Sequence, residues 1–149
     1  KEVADRLAAP PGNKTYGRLS VITQWLCQVE IAFNVDPRAF TPPPKITSSI
    51  VRCVPRTFDT PQPKIETVER VTALAFNQRR KMLRQSLKQL VPDIKSFLDA
   101  INIAETARAD SLTIDDFLKI ARAYEAGFNS SEINLGSVAV MSKNLPPIR

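Results

Sequence analysis

The segment Phe40-Thr41-Pro42-Pro43-Pro44-Lys45-Ile46-Thr47-Ser48-Ser49 constrains this chain more than any other. Its three consecutive prolines hold φ at about −65° and remove three backbone donors. They also push each preceding residue into extended or polyproline space. The stretch is therefore a stiff loop that neither a helix nor the interior of a sheet can absorb. It opens on an aromatic and ends in a lysine and small hydroxyl residues. Two readings of Phe40 stand at this point. It is a platform for a flat, anionic partner such as a nucleotide, or it is a core plug and the prolines shape a crossover.

The flanks of the loop read as strands. Val29, Ile31, Phe33 and Val35 alternate with Glu30, Ala32 and Asn34, which predicts a half-buried strand. Ser49 to Pro55 is apolar at Ile50, Val51, Cys53 and Val54, which predicts a strand interior to a sheet or covered on both faces. Before them, residues 1 to about 9 predict a helix with Val3 and Leu7 on one side, broken by Pro10-Pro11-Gly12. A second helix ends near Cys27, with Leu19, Ile22, Leu26 and Val29 at helical spacing. Residues 56–63 read as a polar linker, and helical patterns follow. These cover about 65–76, 79–90, 92–101 and 113–126, the last with Thr113 as N-cap and Gly127 just past its end. Asp115 and Asp116 sit in that first turn, where the helix dipole explains them without catalysis. Residues 128–149 suggest neither fold nor role.

Composition narrows the function. The chain has 149 residues, enough for one domain or two small ones. It contains no histidine, which removes a His-based catalytic triad and makes a zinc site implausible. Cys27 and Cys53 lack C-x-x-C spacing and are expected to be reduced and buried, in a cytoplasmic setting. Four scattered glycines form no phosphate-binding turn, and no nucleophile elbow occurs. No apolar run reaches the roughly 20 residues of a membrane span. The first residues lack both an initiating Met and a signal-peptide core, so the chain is expected to be a fragment or a processed form.

The net charge is +6, and it is segregated. No acid occurs between Asp36 and Asp59, where Arg38, Lys45, Arg52 and Arg56 lie. None occurs between Glu69 and Asp93, where Arg70, Arg79, Arg80, Lys81, Arg84 and Lys88 lie. On a helix over 79–90, Arg80, Arg84 and Lys88 would stack at i, i+4 spacing and repel one another. Such a run is ordinarily a solvated face, but two acid-free windows favour a polyanion partner.

Five stretches in order then resemble a known family: Lys1-Glu2-Val3-Ala4-Asp5-Arg6-Leu7, Tyr16-Gly17-Arg18-Leu19-Ser20-Val21, Phe40-Thr41-Pro42-Pro43-Pro44-Lys45-Ile46, Ser49-Ile50-Val51-Arg52 and Ala75-Phe76-Asn77-Gln78-Arg79-Arg80-Lys81. Arg108-Ala109-Asp110-Ser111-Leu112 adds a sixth. Together, over about residues 1–126, they resemble the rRNA adenine dimethyltransferases, nearest to the small-subunit type. The resemblance implies an α+β fragment. Residues 1–55 would be the last third of a Rossmann-like methyltransferase domain, two helices and an antiparallel strand pair. Residues 64–127 would be a small all-helical RNA-binding domain.

It further implies methyl transfer from S-adenosylmethionine to two adjacent adenines of small-subunit rRNA during ribosome biogenesis. The partner would be the immature small ribosomal subunit, met by a monomer that does not enter membranes. Phe40 would stack on the flipped target base, with Pro42, Pro43, Pro44 and Lys45 as the substrate loop. Arg18, Arg79, Arg80, Lys81, Arg84 and Lys88 would contact RNA. The family's cofactor turn and its Asn-Leu-Pro-Tyr motif have no counterpart in this chain, so no catalytic, cofactor or metal residue carries over. The chain alone is expected to be inactive. A non-catalytic nucleic-acid-binding module of the same fold, like mitochondrial transcription factor B, is the alternative. Large-subunit resistance methyltransferases are a third, against which the Phe76–Lys81 segment argues.

Overall fold

The computed structural model describes residues 2–39, 42 and 48–133. The chain divides into two compact units, one ending at Thr57 and one starting at Phe58.

In the first unit, α1 (Glu2–Ala8) and α2 (Arg18–Leu26) lead into β1 (Cys27–Val35) and β2 (Ser48–Pro55). The helices are joined by more than apolar contact. Ser20 and Gln24 lie one turn apart on α2, on the side that meets α1. The Ser20 hydroxyl donates to the Arg6 carbonyl, and Gln24 Nε2 donates to the carbonyls of Leu7 and Ala9 at 2.7 and 2.8 Å. They satisfy carbonyls that the end of α1 leaves without helical partners. The buried set is Ala4, Ala9, Tyr16, Val21 and Trp25. The expected faces are thus rotated: Val3 and Leu19 point outward, because α2 uses its Ser20–Gln24 side against α1.

Strands β1 and β2 pair antiparallel, from Cys27 opposite Pro55 to Val35 opposite Ser48. The register shifts between Ile31 and Phe33. Ile31 faces Val51 and Phe33 faces Ile50, so Ala32 is the extra residue of a bulge. Cross-strand partners share a face. Val29 and Ile31 therefore lie on one face, and Phe33 and Val35 on the other. This corrects the strict alternation read from the sequence, since one extra residue inverts everything after it. Phe33, Ile50 and Val54 are exposed. β2 is not covered on both faces, because among the described residues the sheet has two strands. For the same reason the cysteines are not buried: Cys53 is exposed and Cys27 half-buried, and both are free.

In the second unit, α3 (Ile65–Asn77) buries Val68, Val71, Thr72 and Ala75, one stripe at helical spacing. It packs on α6 (Ile114–Ile133), where Phe76 and Phe117 are tilted rings 5.4 Å apart. Glu125 of α6 accepts the Lys64 N–H at 2.9 Å and so holds the start of α3. Helix α4 is the single turn Leu83–Ser86, and α5 is Ile94–Ala100, capped by Asp93, which accepts the Ser96 N–H at 3.2 Å. Helix α6 starts on a reciprocal pair: Asp116 N–H to Thr113 Oγ1 at 3.1 Å, and Thr113 N–H to Asp116 Oδ2 at 3.0 Å. It does not stop before Gly127 but runs on to Ile133. The core is completed by Leu83, Leu87, Leu90, Leu98, Ile103, Leu112 and Ile120.

Candidate nucleic-acid interface

The expected helix over 79–90 is replaced by a turn and the short α4. The reason lies in the backbone. Leu83 N–H donates to the Ala107 carbonyl at 2.8 Å and Arg84 N–H to the Glu105 carbonyl at 3.0 Å. Met82 and Arg108 form an antiparallel bridge. Amides committed to the 105–108 loop cannot close helical bonds to carbonyls four residues back. Burial of Leu83 and Leu87 fixes the segment against the core.

This clamp shapes the basic segment. Residues 78–81 form a tight turn, closed by Lys81 N–H to the Gln78 carbonyl at 2.9 Å. Arg79 and Arg80 occupy its two corners. The Arg79 guanidinium lies 5.7 Å above the Phe76 ring, a cation–π contact that orients its plane. Arg80, Lys81 and Lys88 are exposed. Arg84 is partly exposed and pairs with Glu105 at 3.0 Å. The expected ladder of Arg80, Arg84 and Lys88 on one helix face therefore does not exist. These three residues lie in the turn, in α4 and after α4. Nor is the basic segment free of acids in space, since Glu105 arrives from the loop.

Two further cations were not among the RNA contacts expected from the sequence. Arg108 is exposed and is brought beside Met82 by the bridge. Lys95 of α5 reaches Glu105 at 3.8 Å. Both depend on non-local pairing, which has no local signature.

The first unit holds the remaining candidates. Arg18 is the exposed first residue of α2. The described residues on either side of the proline run are tied down locally. On the entry side, residues 37–39 form a 3-10 turn closed by Ala39 N–H to the Asp36 carbonyl at 2.9 Å. Arg38 donates from its backbone and side chain to the Asp36 carboxylate, with an ion pair at 2.8 Å. The side-chain bond from Arg38 holds the Asp36 carboxyl below its ordinary pKa. On the exit side, Ser49 Oγ donates to Asn34 Oδ1 at 2.6 Å beside the closing Val35–Ser48 pair. Pro42 is exposed. Phe40, Pro43, Pro44 and Lys45 lie outside the described residues, as do residues 134–149.

No His/Cys/Asp/Glu cluster suited to a metal occurs among the described residues. No described helix is long and apolar enough to cross a membrane. A Cβ added at Gly12, Gly17 or Gly127 would meet no protein atom within 4 Å.

The family model of ribosomal RNA adenine dimethylase matches residues 1–126. The ribosomal RNA small subunit methyltransferase A of Rhodospirillum rubrum is 56% identical over 126 residues, spanning 85% of this chain and 43% of that protein. The protein of the same name from Paramagnetospirillum magneticum is 55% identical, over 85% of this chain and 44% of its own length. The chain thus spans less than half the length of these curated relatives. Among solved structures, a dimethyladenosine transferase from Plasmodium falciparum superposes with a TM-score of 0.69 at 24% identity, over 85% of this chain and 55% of that one. The 23S rRNA methyltransferase ErmE gives 0.54 at 23% identity, over 83% and 51%. These two likenesses speak to the fold alone. With the family model matched across most of the chain, in both compact units, the chain belongs to the ribosomal RNA adenine dimethylase family.

Proposed function

We propose that this chain is the C-terminal part of a methyltransferase that dimethylates two adjacent adenines of small-subunit rRNA, using S-adenosylmethionine, in the cytoplasm. The single observation that carries this is the family match through residue 126, at 56% identity to a small-subunit rRNA methyltransferase. In this reading the first unit is the last part of a Rossmann-like methyltransferase domain. Its exposed Phe33–Ile50–Val54 face is covered by the upstream part of that domain, which also holds the cofactor and the residues that polarise the target amine. When bound there, S-adenosylmethionine supplies the methyl group.

The residues of this chain bind and orient RNA. Arg79, Arg80, Lys81 and Arg108 meet phosphates as a cluster presented by the clamped turn, with Arg84 and Lys88 beside it. Arg18 adds a cation in the first unit. Phe40 stacks on the extruded adenine, which must leave its helix to expose its exocyclic amine. Pro42, Pro43 and Pro44 hold that aromatic in place by restricting the backbone around it, and Lys45 adds a cation to the same loop. The chain acts on the immature small subunit as a monomer, and by itself transfers no methyl group.

The test uses the chain restored to the length of its relatives. Phe40→Ala is expected to lower adenine methylation of immature small subunits by 100-fold or more while the melting temperature holds. Loss of thermal stability in proportion would return Phe40 to the core. Neutralising Arg79, Arg80 and Lys81 to Gln should weaken subunit binding and flatten its salt dependence, since each lost phosphate contact lowers the slope by about one. An unchanged slope would remove the turn from the interface.

A further inference from the structure

We propose that Glu105 is an internal counter-anion that limits how many phosphates the basic turn engages. The proposal rests on the reading of that turn as a polyanion surface. One oxygen, Glu105 Oε1, lies 3.0 Å from Arg84 Nη1 and 3.8 Å from Lys95 Nζ. The Glu105 side chain is 19% exposed, against 46% for Arg84 and 64% for Lys95. The carboxylate is therefore the covered member, and the two cations face water.

An ion pair this open adds little to folding. The fold here does not need it: the clamp is made by the backbone, through Leu83 to Ala107, Arg84 to Glu105 and the Met82–Arg108 bridge. What the carboxylate changes is charge. Two cations and one anion give the cluster +1, where Arg84 and Lys95 alone would give +2. A phosphate approaching Arg84 competes with a carboxylate already tethered at hydrogen-bond distance. It also meets that negative charge well inside a screening length of about 8 Å. Fewer counterions are then released on binding, and affinity depends less steeply on salt. Glu105 thus restricts the strong phosphate contacts to Arg79, Arg80, Lys81 and Arg108. Weaker grip on arbitrary RNA is the result.

The experiment measures binding of the 149-residue chain to a short RNA duplex of arbitrary sequence between about 50 and 200 mM salt. Glu105→Gln keeps the side-chain length and an acceptor. It is expected to steepen the salt slope by about one and to tighten binding several-fold at the low end. Glu2→Gln removes a carboxylate paired with Arg6 in the other unit, at 3.0 Å, and is expected to leave the slope unchanged. A Glu105→Gln slope equal to or shallower than the parent's overturns the role given to Glu105 and leaves the polyanion reading standing. An equal effect from Glu2→Gln overturns it too, by showing general charge. A parent chain whose binding does not respond to salt overturns the polyanion reading, and the proposal with it.

Discussion

Asn102 stands in the left-handed region, with φ 59°, just past the end of α5. Its N–H donates to the Asp99 carbonyl at 3.1 Å, and the next N–H, of Ile103, to the Leu98 carbonyl at 3.0 Å. Leu98 and Ile103 are both buried, which completes a hydrogen-bonded helix end of the Schellman type. The conformation disfavours residues with a Cβ by about 1–2 kcal/mol, less for Asn than for most. Asn102→Gly is expected to maintain or raise stability, and Asn102→Ala to lower it by about 1 kcal/mol. Chemical denaturation monitored by circular dichroism checks both. The expected helix over 92–101 ends within a residue of where α5 does; what the sequence left unmarked is that Asn, rather than the usual glycine, takes the left-handed position. The Thr113 cap of α6 was legible, because Thr and Asp three apart satisfy each other's backbone donors within one turn. The cysteines were not. Their exposure depends on which strands lie beside β1 and β2, and no residue encodes that by itself.

Helix α6 separates local from longer-range information. Gly127 reads as a terminator in sequence, yet the helix continues through it to Ile133. A Cβ there meets open space. Gly127→Ala is therefore expected to stabilise the second unit by about 0.5–1 kcal/mol, as for an interior helical glycine. A terminal left-handed glycine would respond with the opposite sign, so a shift in the thermal midpoint decides between them. Two other elements departed from local pattern for identifiable reasons. In β1 the alternation of Val29 to Val35 was read correctly as a strand, but Ala32 inserts a residue and transfers Phe33 to the other face. In the 79–90 segment Leu83, Leu87 and Leu90 are buried, but the expected helix shrinks to the single turn Leu83–Ser86, because the 105–108 loop takes the amides that a longer helix would use. Element type and local caps were legible; the faces that pack and the backbone bonds made by distant partners were not.

Across the molecule the two units differ in how much backbone they protect. The second closes its own core around α3, α4, α5 and α6. The first leaves Phe33, Ile50 and Val54 in water on a two-stranded sheet, an arrangement of marginal independent stability. Hydrogen exchange on the intact chain is expected to show slow amides at Val71, Leu87 and Ile120, and much faster ones along β1 and β2. Equal protection in both units would contradict that difference. The strand pair and the helical unit were foreseeable from hydrophobic period and proline placement. Of the proposed interface, the arginines of the 78–81 turn stood out in the sequence by charge, while Arg108, Lys95 and Glu105 enter through pairing across the chain. That pairing carries a consequence in time. The bridge between Met82 and Arg108 cannot form on a chain emerging from the ribosome until the segment holding Arg108 has been made. During synthesis the arginine turn therefore takes its clamped shape only once residue 108 has been made, about thirty residues after its own arginines.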